Sequence, residues 1–218
     1  MHSSTFQLPV FFDLGATFAF ALTGALAAIK RGYDIVGVFF LALVSSIGGG
    51  LIRDGVFIPG TGATPLLTDA RYIELIVAAT VAGALFGGHV KKFHRLIAVI
   101  DALGLGAYAA FGTQKALVAG LAVPAAILVG VINAAGGGLL RDVITRQEPL
   151  VFKPGQFYVL TALAGAVVFV FLTVQCDVDA TLAAVAAIVA TFGFRVLTII
   201  FNWRTTSIGS PGDGDVTP

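Results

Sequence analysis

The sequence predicts an all-α integral membrane protein with seven transmembrane helices: two inverted three-helix repeats plus a seventh helix, with helices two and five kinked. Three observations predict it. Of the 218 residues, 57% are hydrophobic and only 11% charged, against about 25% charged in an ordinary soluble domain. Seven apolar runs recur along the chain, and a span needs about 20 such residues to cross about 30 Å of hydrocarbon. Finally, Gly48-Gly49-Gly50-Leu51-Ile52-Arg53-Asp54 returns as Gly136-Gly137-Gly138-Leu139-Leu140-Arg141-Asp142, at an offset of 88 residues (48 to 136).

Composition also excludes classes. A mean hydropathy of +0.96 is more apolar surface than a soluble core of this length can hide. The net charge of +1 comes with no basic patch, so no nucleic-acid partner is expected. The single cysteine, Cys176, cannot form an intrachain disulfide, and His2, His89 and His94 make no zinc pattern. No metal and no cofactor is expected.

Taken in order, span one runs from about Val10 to Ile29 and ends at Lys30-Arg31-Gly32. Its positive charges follow the apolar run rather than precede it, which marks a retained span and not a signal peptide. Span two starts near Asp34, passes through the first triple glycine and ends near Pro59. A stretch rich in turn formers, Pro59 to Pro65, separates it from span three. Span three runs from about Tyr72 to Val90 and stops at Lys91, Lys92 and Arg95, which read as topology determinants, with an anionic-lipid site as the alternative. Span four covers about Leu96 to Thr113, with Gln114-Lys115 at its far end. Span five starts near Leu117, passes Pro124 and the second triple glycine, and ends near Arg146. Span six covers about Gln156 to Val174, and span seven about Ala180 to Trp203. These form one membrane domain over 8–203: repeat one about 10–90, repeat two about 96–174, the accessory helix about 180–203. Residues 204–218 are Ser-, Gly- and Pro-rich and read as a disordered tail.

With seven spans, one side of the membrane receives Lys30, Arg31, Lys91, Lys92, Arg95, Arg146, Lys153 and Arg204, and the other only Arg71 and Lys115. The positive-inside rule puts the first side in the cytoplasm, hence the N-terminus outside and the C-terminus inside.

The repeat extends beyond the glycines. At the same offset Asp13 matches Asp101, Gly24 matches Gly112, Gly32 matches Gly120, Phe20 faces Tyr108 and Ser45 faces Asn133. An odd number of spans per unit inverts the second unit relative to the first, an architecture typical of solute-moving membrane proteins.

Each glycine inside a helix costs about 1 kcal/mol relative to alanine, and three in a row exceed what a packing seam needs. The reading is a kink or break in spans two and five. Gly48 lies 14 residues beyond Asp34, about 21 Å along a helix and so past the midplane. Gly136, Gly137 and Gly138 lie past it in the opposite direction. Broken backbone at that depth must be buried in protein or line water. Ser45, Ser46 and Asn133 precede the glycines by less than a turn and are the candidate polar pore-lining groups, with bonding back to their own helix as the alternative. Arg53, Asp54 and Asp13 belong at the outer boundary, and Arg141, Asp142 and Asp101 at the inner one. The expected ion pairs are Asp13 with Arg53 and Asp101 with Arg141, because ionisable groups in spans pair or face water. Arg195 in span seven reads as a snorkelling residue with a structural or headgroup role.

Seven spans, a 3+3 inverted repeat with an extra helix, and GGG-x-x-R-D in spans two and five resemble the trimeric intracellular cation (TRIC) channel family. The resemblance covers about residues 8–203. It implies a homotrimer in membrane lipid, with one pore per protomer lined mainly by spans two and five, passing monovalent cations, K⁺ or Na⁺. It leaves span seven an accessory. Eukaryotic members carry a lysine-bearing motif where this chain reads Leu140-Arg141-Asp142-Val143, and they have a long basic tail that is missing here. Both departures point to the prokaryotic branch and a plasma or inner membrane. The expected function is therefore a potassium channel gated at the triple-glycine helices, with a secondary transporter for a small solute such as glycine as the alternative. No nucleophile–base pair, metal cluster or phosphate loop in the sequence supports an enzyme.

Overall fold

The computed structural model describes residues 8–59, 64, 68–87, 94–153, 157–201 and 203. Seven long helices run through them: α1 (Phe11–Lys30), α2 (Ile35–Ile52), α3 (Ala70–Phe86), α4 (His94–Val118), α5 (Val123–Ile144), α6 (Tyr158–Val170) and α7 (Ala180–Ile200). Helices α2 and α6 continue into single π-helical turns, Arg53–Phe57 and Phe171–Gln175. With α2 and α6 counted through their π turns, six of the helices are long and apolar enough to cross a membrane; α3, with 17 residues, is not among them. The expected tail 204–218, the loop residues 60–63 and 65–67, and Lys91 and Lys92 lie outside the described residues.

Helix ends follow local chemistry. The Asp34 side chain accepts from Gly37 N–H at the start of α2, and Asp179 caps α7 through Thr181 and Leu182 N–H. Pro124 sits in the first turn of α5, where its missing N–H costs nothing. The ends of α1 and α4 are copies of one another. Gly32 and Gly120 both take positive φ, 75° and 86°. Around them Tyr33 N–H bonds Ala28 O and Leu121 N–H bonds Ala116 O, each at 3.1 Å, the paired closure of a glycine-ended helix. This turn moves two expected boundaries. Helix α4 runs on to Val118, and α5 begins at Val123 rather than near Leu117.

The larger correction concerns the glycines. Both α2 and α5 are α-helical without interruption through Gly48–Gly50 and Gly136–Gly138. The expected broken backbone is absent there, because the absence of side chains is used for packing instead. A Cβ on Gly49 would land on the carbonyl oxygen of Asn133, and a Cβ on Gly137 on that of Ser45. The departure from regular helix in span two comes within the motif but past its glycines, in the π turn that starts at Arg53.

Helices α1, α2, α4 and α5 form the centre, with α1 against α2 and α4, and α5 against α2 and α4. Helix α3 packs on α1 and α2, α6 on α5, and α7 on α4 and α6. The bundle buries charged and polar groups within an alanine-rich apolar core and turns large apolar residues outward. Arg53 is only 2% exposed while Leu85 is 73% exposed. Lipid-facing apolar residues are what a membrane span requires, and charged groups buried inside such spans mark functional positions.

Candidate functional site

Two cavities lie at opposite ends of α1. The first, about 30 Å³, is bounded by Asp13, Thr17, Ser46, Arg53, Tyr72 and Tyr108 among others. The second, about 460 Å³, is bounded by Thr23, Lys30, Asp101, Arg141, Asp142 and Arg195 among others. Asp13 and Lys30 are 17 positions apart on α1, about 25 Å at 1.5 Å per residue. The two copies of the Arg-Asp motif therefore serve opposite ends of the molecule, as an inverted repeat requires.

At the Asp13 end, Arg53 grips its neighbour Asp54 with Nε and Nη2 at 2.7 and 2.9 Å. Lys115 Nζ, half-buried, donates to both oxygens of the same carboxylate at 2.9 Å. The Arg53 guanidinium stacks over the Phe111 ring at 5.5 Å. Its Nη1 donates to Asn133 Oδ1 at 3.2 Å, which ties the first repeat to the second. Asp13 is within electrostatic reach of Arg53 but accepts its hydrogen bond from the Tyr72 hydroxyl. The expected Asp13–Arg53 ion pair is thus not formed. Asp54, adjacent to Arg53 in the π turn, takes the guanidinium's fork instead. At the rim, Asp69 caps α3 and its hydrogen bond from Arg71 holds the carboxyl below the ordinary carboxylate range.

At the Asp101 end the expected ion pair is present. Arg141 Nη1 donates to Asp101 Oδ1 at 3.3 Å, and Nε to Asp142 Oδ1 at 3.0 Å. Nη1 also reaches Thr23 Oγ1 at 3.2 Å. Thr23 and Phe111 occupy equivalent positions at the 88-residue offset (23 to 111). The two arginines thus meet the same place in the opposite repeat, one by a hydrogen bond and the other by cation–π contact. The Tyr158 hydroxyl sits beside Asp101 without making a well-formed hydrogen bond, and Arg195 covers its ring at 5.3 Å. Arg195 does not snorkel to a headgroup: it is buried and lines the larger cavity.

Between the cavities, equivalent positions of the two repeats touch each other. Phe20 and Tyr108 stack at 5.2 Å. The Tyr108 hydroxyl donates to the Ser46 carbonyl at 2.6 Å and lies 2.8 Å from the Thr17 hydroxyl, whose one proton also has the Asp13 carbonyl within reach at 2.8 Å. Gly24 lies against Ser45 within the first repeat, and Gly112 against Asn133, the equivalent pair, within the second. Asn133 Nδ2 donates to the Tyr108 carbonyl at 2.8 Å. Contact between equivalent residues places the pseudo-two-fold axis here.

Of the candidate residues, Asp13, Ser46, Gly50 and Arg53 line the smaller cavity, and Asp101, Arg141 and Asp142 the larger one. Asp54 backs Arg53. Gly48, Gly49, Gly136, Gly137, Ser45 and Asn133 form the seam between. Gly138 faces Tyr158. The Ser45 and Ser46 hydroxyls bond back to Leu41 O and Leu43 O of their own helix. Sequence reasoning missed Thr17, Thr23, Tyr72, Lys115 and Tyr158. Tyrosines and threonines at helical spacing inside apolar runs were the available signal.

A family model described as "Glycine transporter" matches residues 10–89 and 98–174, one stretch per repeat. A UPF0126 membrane protein of Deinococcus radiodurans is 33% identical over 157 residues, covering 71% of each chain. The UPF0126 inner membrane protein YadS of Escherichia coli K12 is 31% identical over 212 residues, covering 95% of this chain and all of that one. Among solved structures, the TRIC trimeric intracellular cation channel orthologue from Rhodobacter sphaeroides superposes with a TM-score of 0.82 at 30% identity, over 88% of this chain and 97% of that one.

Proposed function

Because the chain belongs to the UPF0126 membrane proteins, the prokaryotic branch of the TRIC channel superfamily, we propose that it is a potassium-conducting channel whose path runs inside one protomer. Membership makes it a transport protein and not an enzyme. One observation carries the reading: two charged cavities at opposite ends of α1, separated by a short polar seam inside a lipid-facing bundle. Carboxylates at both mouths attract cations, and the paired arginines keep the mouths from trapping them.

The path is closed between the cavities by Tyr108, which joins Thr17 on α1 to the Ser46 carbonyl on α2. Opening parts these groups and slides α2 on α5 along the triple-glycine seam. Gating at the glycines is thus a motion of two intact helices, not a hinge within one. The orthologue's trimeric assembly and the inner-membrane placing of the curated relative support a homotrimer in a prokaryotic plasma or inner membrane. The bias of Lys and Arg puts the Asp101 mouth in the cytoplasm.

The family model's description favours a second reading, a carrier for glycine. Proteoliposomes separate the two. A channel releases K⁺ down its gradient at a rate that does not saturate at low concentration and takes up no glycine. Saturable, gradient-coupled glycine uptake without K⁺ flux would establish the carrier.

A further inference from the structure

The motif charges of the two mouths correspond across the repeats, and each mouth also receives charge independently: Lys115 at the first, and Arg195 with Lys30, Glu148 and Lys153 at the second. Asp13, Arg53 and Asp54 answer to Asp101, Arg141 and Asp142. Lys115 completes the first set through Asp54. Arg195 stands in the second, and it lies on α7, beyond both matched repeats.

Its position is built by packing. The buried stripe of α7 runs Ala180, Ala184, Ala187, Thr191, Arg195 and Thr198, at the three- and four-residue spacing of one helix face. The stripe comes close to α4 because Gly106 has no side chain: a Cβ there would stand 2.9 Å from Ile188 Cα and 3.1 Å from Thr191 Cβ. Gly165 of α6 meets Thr191 in the same way. One turn further on, the stripe presents a guanidinium to the cavity that holds Asp101 and Arg141. Three rings fix the end of the helix: Phe194 and Trp203 each pack on Phe157 at 6.4 and 6.3 Å. A helix whose only task was to shield the bundle from lipid would carry an apolar residue here, since a buried cation in a span is costly.

We propose that Arg195 sets the charge balance of the Asp101 mouth, so that the seventh helix determines how readily cations enter there relative to the Asp13 mouth. The inference rests on the cation-path reading above. With Arg195 present, the carboxylates of Asp101 and Asp142 face two guanidiniums. Without it they keep Arg141, with Lys30, Lys153 and Glu148 further along the same wall, and the mouth loses one positive charge. Cations are then repelled less at this end, and current carried by ions entering there rises while current in the other direction changes little. Salt removes such an effect, because the screening length falls from about 10 Å at 0.1 M to about 3 Å at 1 M.

Unitary currents at equal and opposite voltages, recorded in planar bilayers in dilute and in concentrated KCl, test it. For Arg195→Gln the ratio of the two currents should shift by roughly threefold or more in dilute KCl and return toward the wild-type ratio in concentrated KCl. Arg195→Lys, which keeps the charge, should hold the wild-type ratio in both. Arg195→Gln combined with Asp101→Asn removes one charge of each sign and should restore the ratio; this arm also serves if the single variant does not assemble. An unshifted ratio in Arg195→Gln overturns the proposal. So does an equal shift in the Gln and Lys variants that ignores salt, which is the mark of a structural role, or a shifted ratio in the double variant. A wild-type protein that passes no current fails the cation-path reading itself, and this inference with it; a conducting wild type with an unmoved ratio fails this inference alone.

Discussion

Gly49 lies directly on the backbone carbonyl of Asn133, so that no side chain fits between α2 and α5 at that point. Gly137 meets the Ser45 carbonyl in the same way from the other repeat. Alanine at either position must push two helices apart. Overpacking of this kind costs roughly 1–3 kcal/mol, and more where backbone rather than side chain must move. Gly49→Ala and Gly137→Ala should therefore lower the thermal unfolding midpoint in detergent. Gly50→Ala should not, because its Cβ would meet nothing nearer than Arg53 Nη2 at 3.7 Å. Equal midpoints for all three would contradict the seam.

Asn133 and Ser45 are equivalent in sequence but not in work. Asn133 bridges Arg53 and the Tyr108 carbonyl, whereas the Ser45 hydroxyl serves its own helix. Asn133→Ala leaves buried polar groups without partners, at about 1–3 kcal/mol each. It should destabilise clearly more than Ser45→Ala in a chemical-denaturation series. The reverse order would show that the bridge carries no weight.

The two mouths should differ in a double-mutant cycle. Asp101→Asn and Arg141→Ala remove the same contact, so their effects on stability should be non-additive by roughly 0.5–3 kcal/mol. Asp13→Asn with Arg53→Ala should couple less, since Asp13 bonds to Tyr72 and Arg53 to Asp54. Equal coupling at both ends would require a direct Asp13–Arg53 pair.

Tyr108→Phe keeps the ring stacked on Phe20 and deletes the hydroxyl that joins Thr17 to the Ser46 carbonyl. If that link closes the path, open probability should rise with unitary conductance little changed. A variant that opens no more often than wild type would move the gate elsewhere.

Much of this architecture could be read from the chain. The 88-residue offset carried the inverted repeat. Gly32 and Gly120 end their helices with the same positive-φ turn, and Phe20 and Tyr108 stack on one another. The Asp101–Arg141 pair was legible because the motif fixes both depth and sign of charge. Asp13–Arg53 was not, because a neighbouring Asp54 and a tyrosine from a third helix compete for the same groups, and spacing cannot rank such competitors. The glycines were recognised but assigned to a broken backbone. Sequence records that a side chain is absent, while only the partner helix reveals what occupies the room. For Arg195 only the headgroup half of the expectation fails, for a related reason: its depth suited snorkelling, but its helix face turns it inward.

If one chain of this fold encloses a cation path, that path carries current on its own. The most direct measurement is a planar-bilayer recording of the purified protein under a KCl gradient. Discrete unitary currents that reverse near the K⁺ equilibrium potential are the predicted result. A silent bilayer, from a preparation that takes up glycine in proteoliposomes, would contradict it.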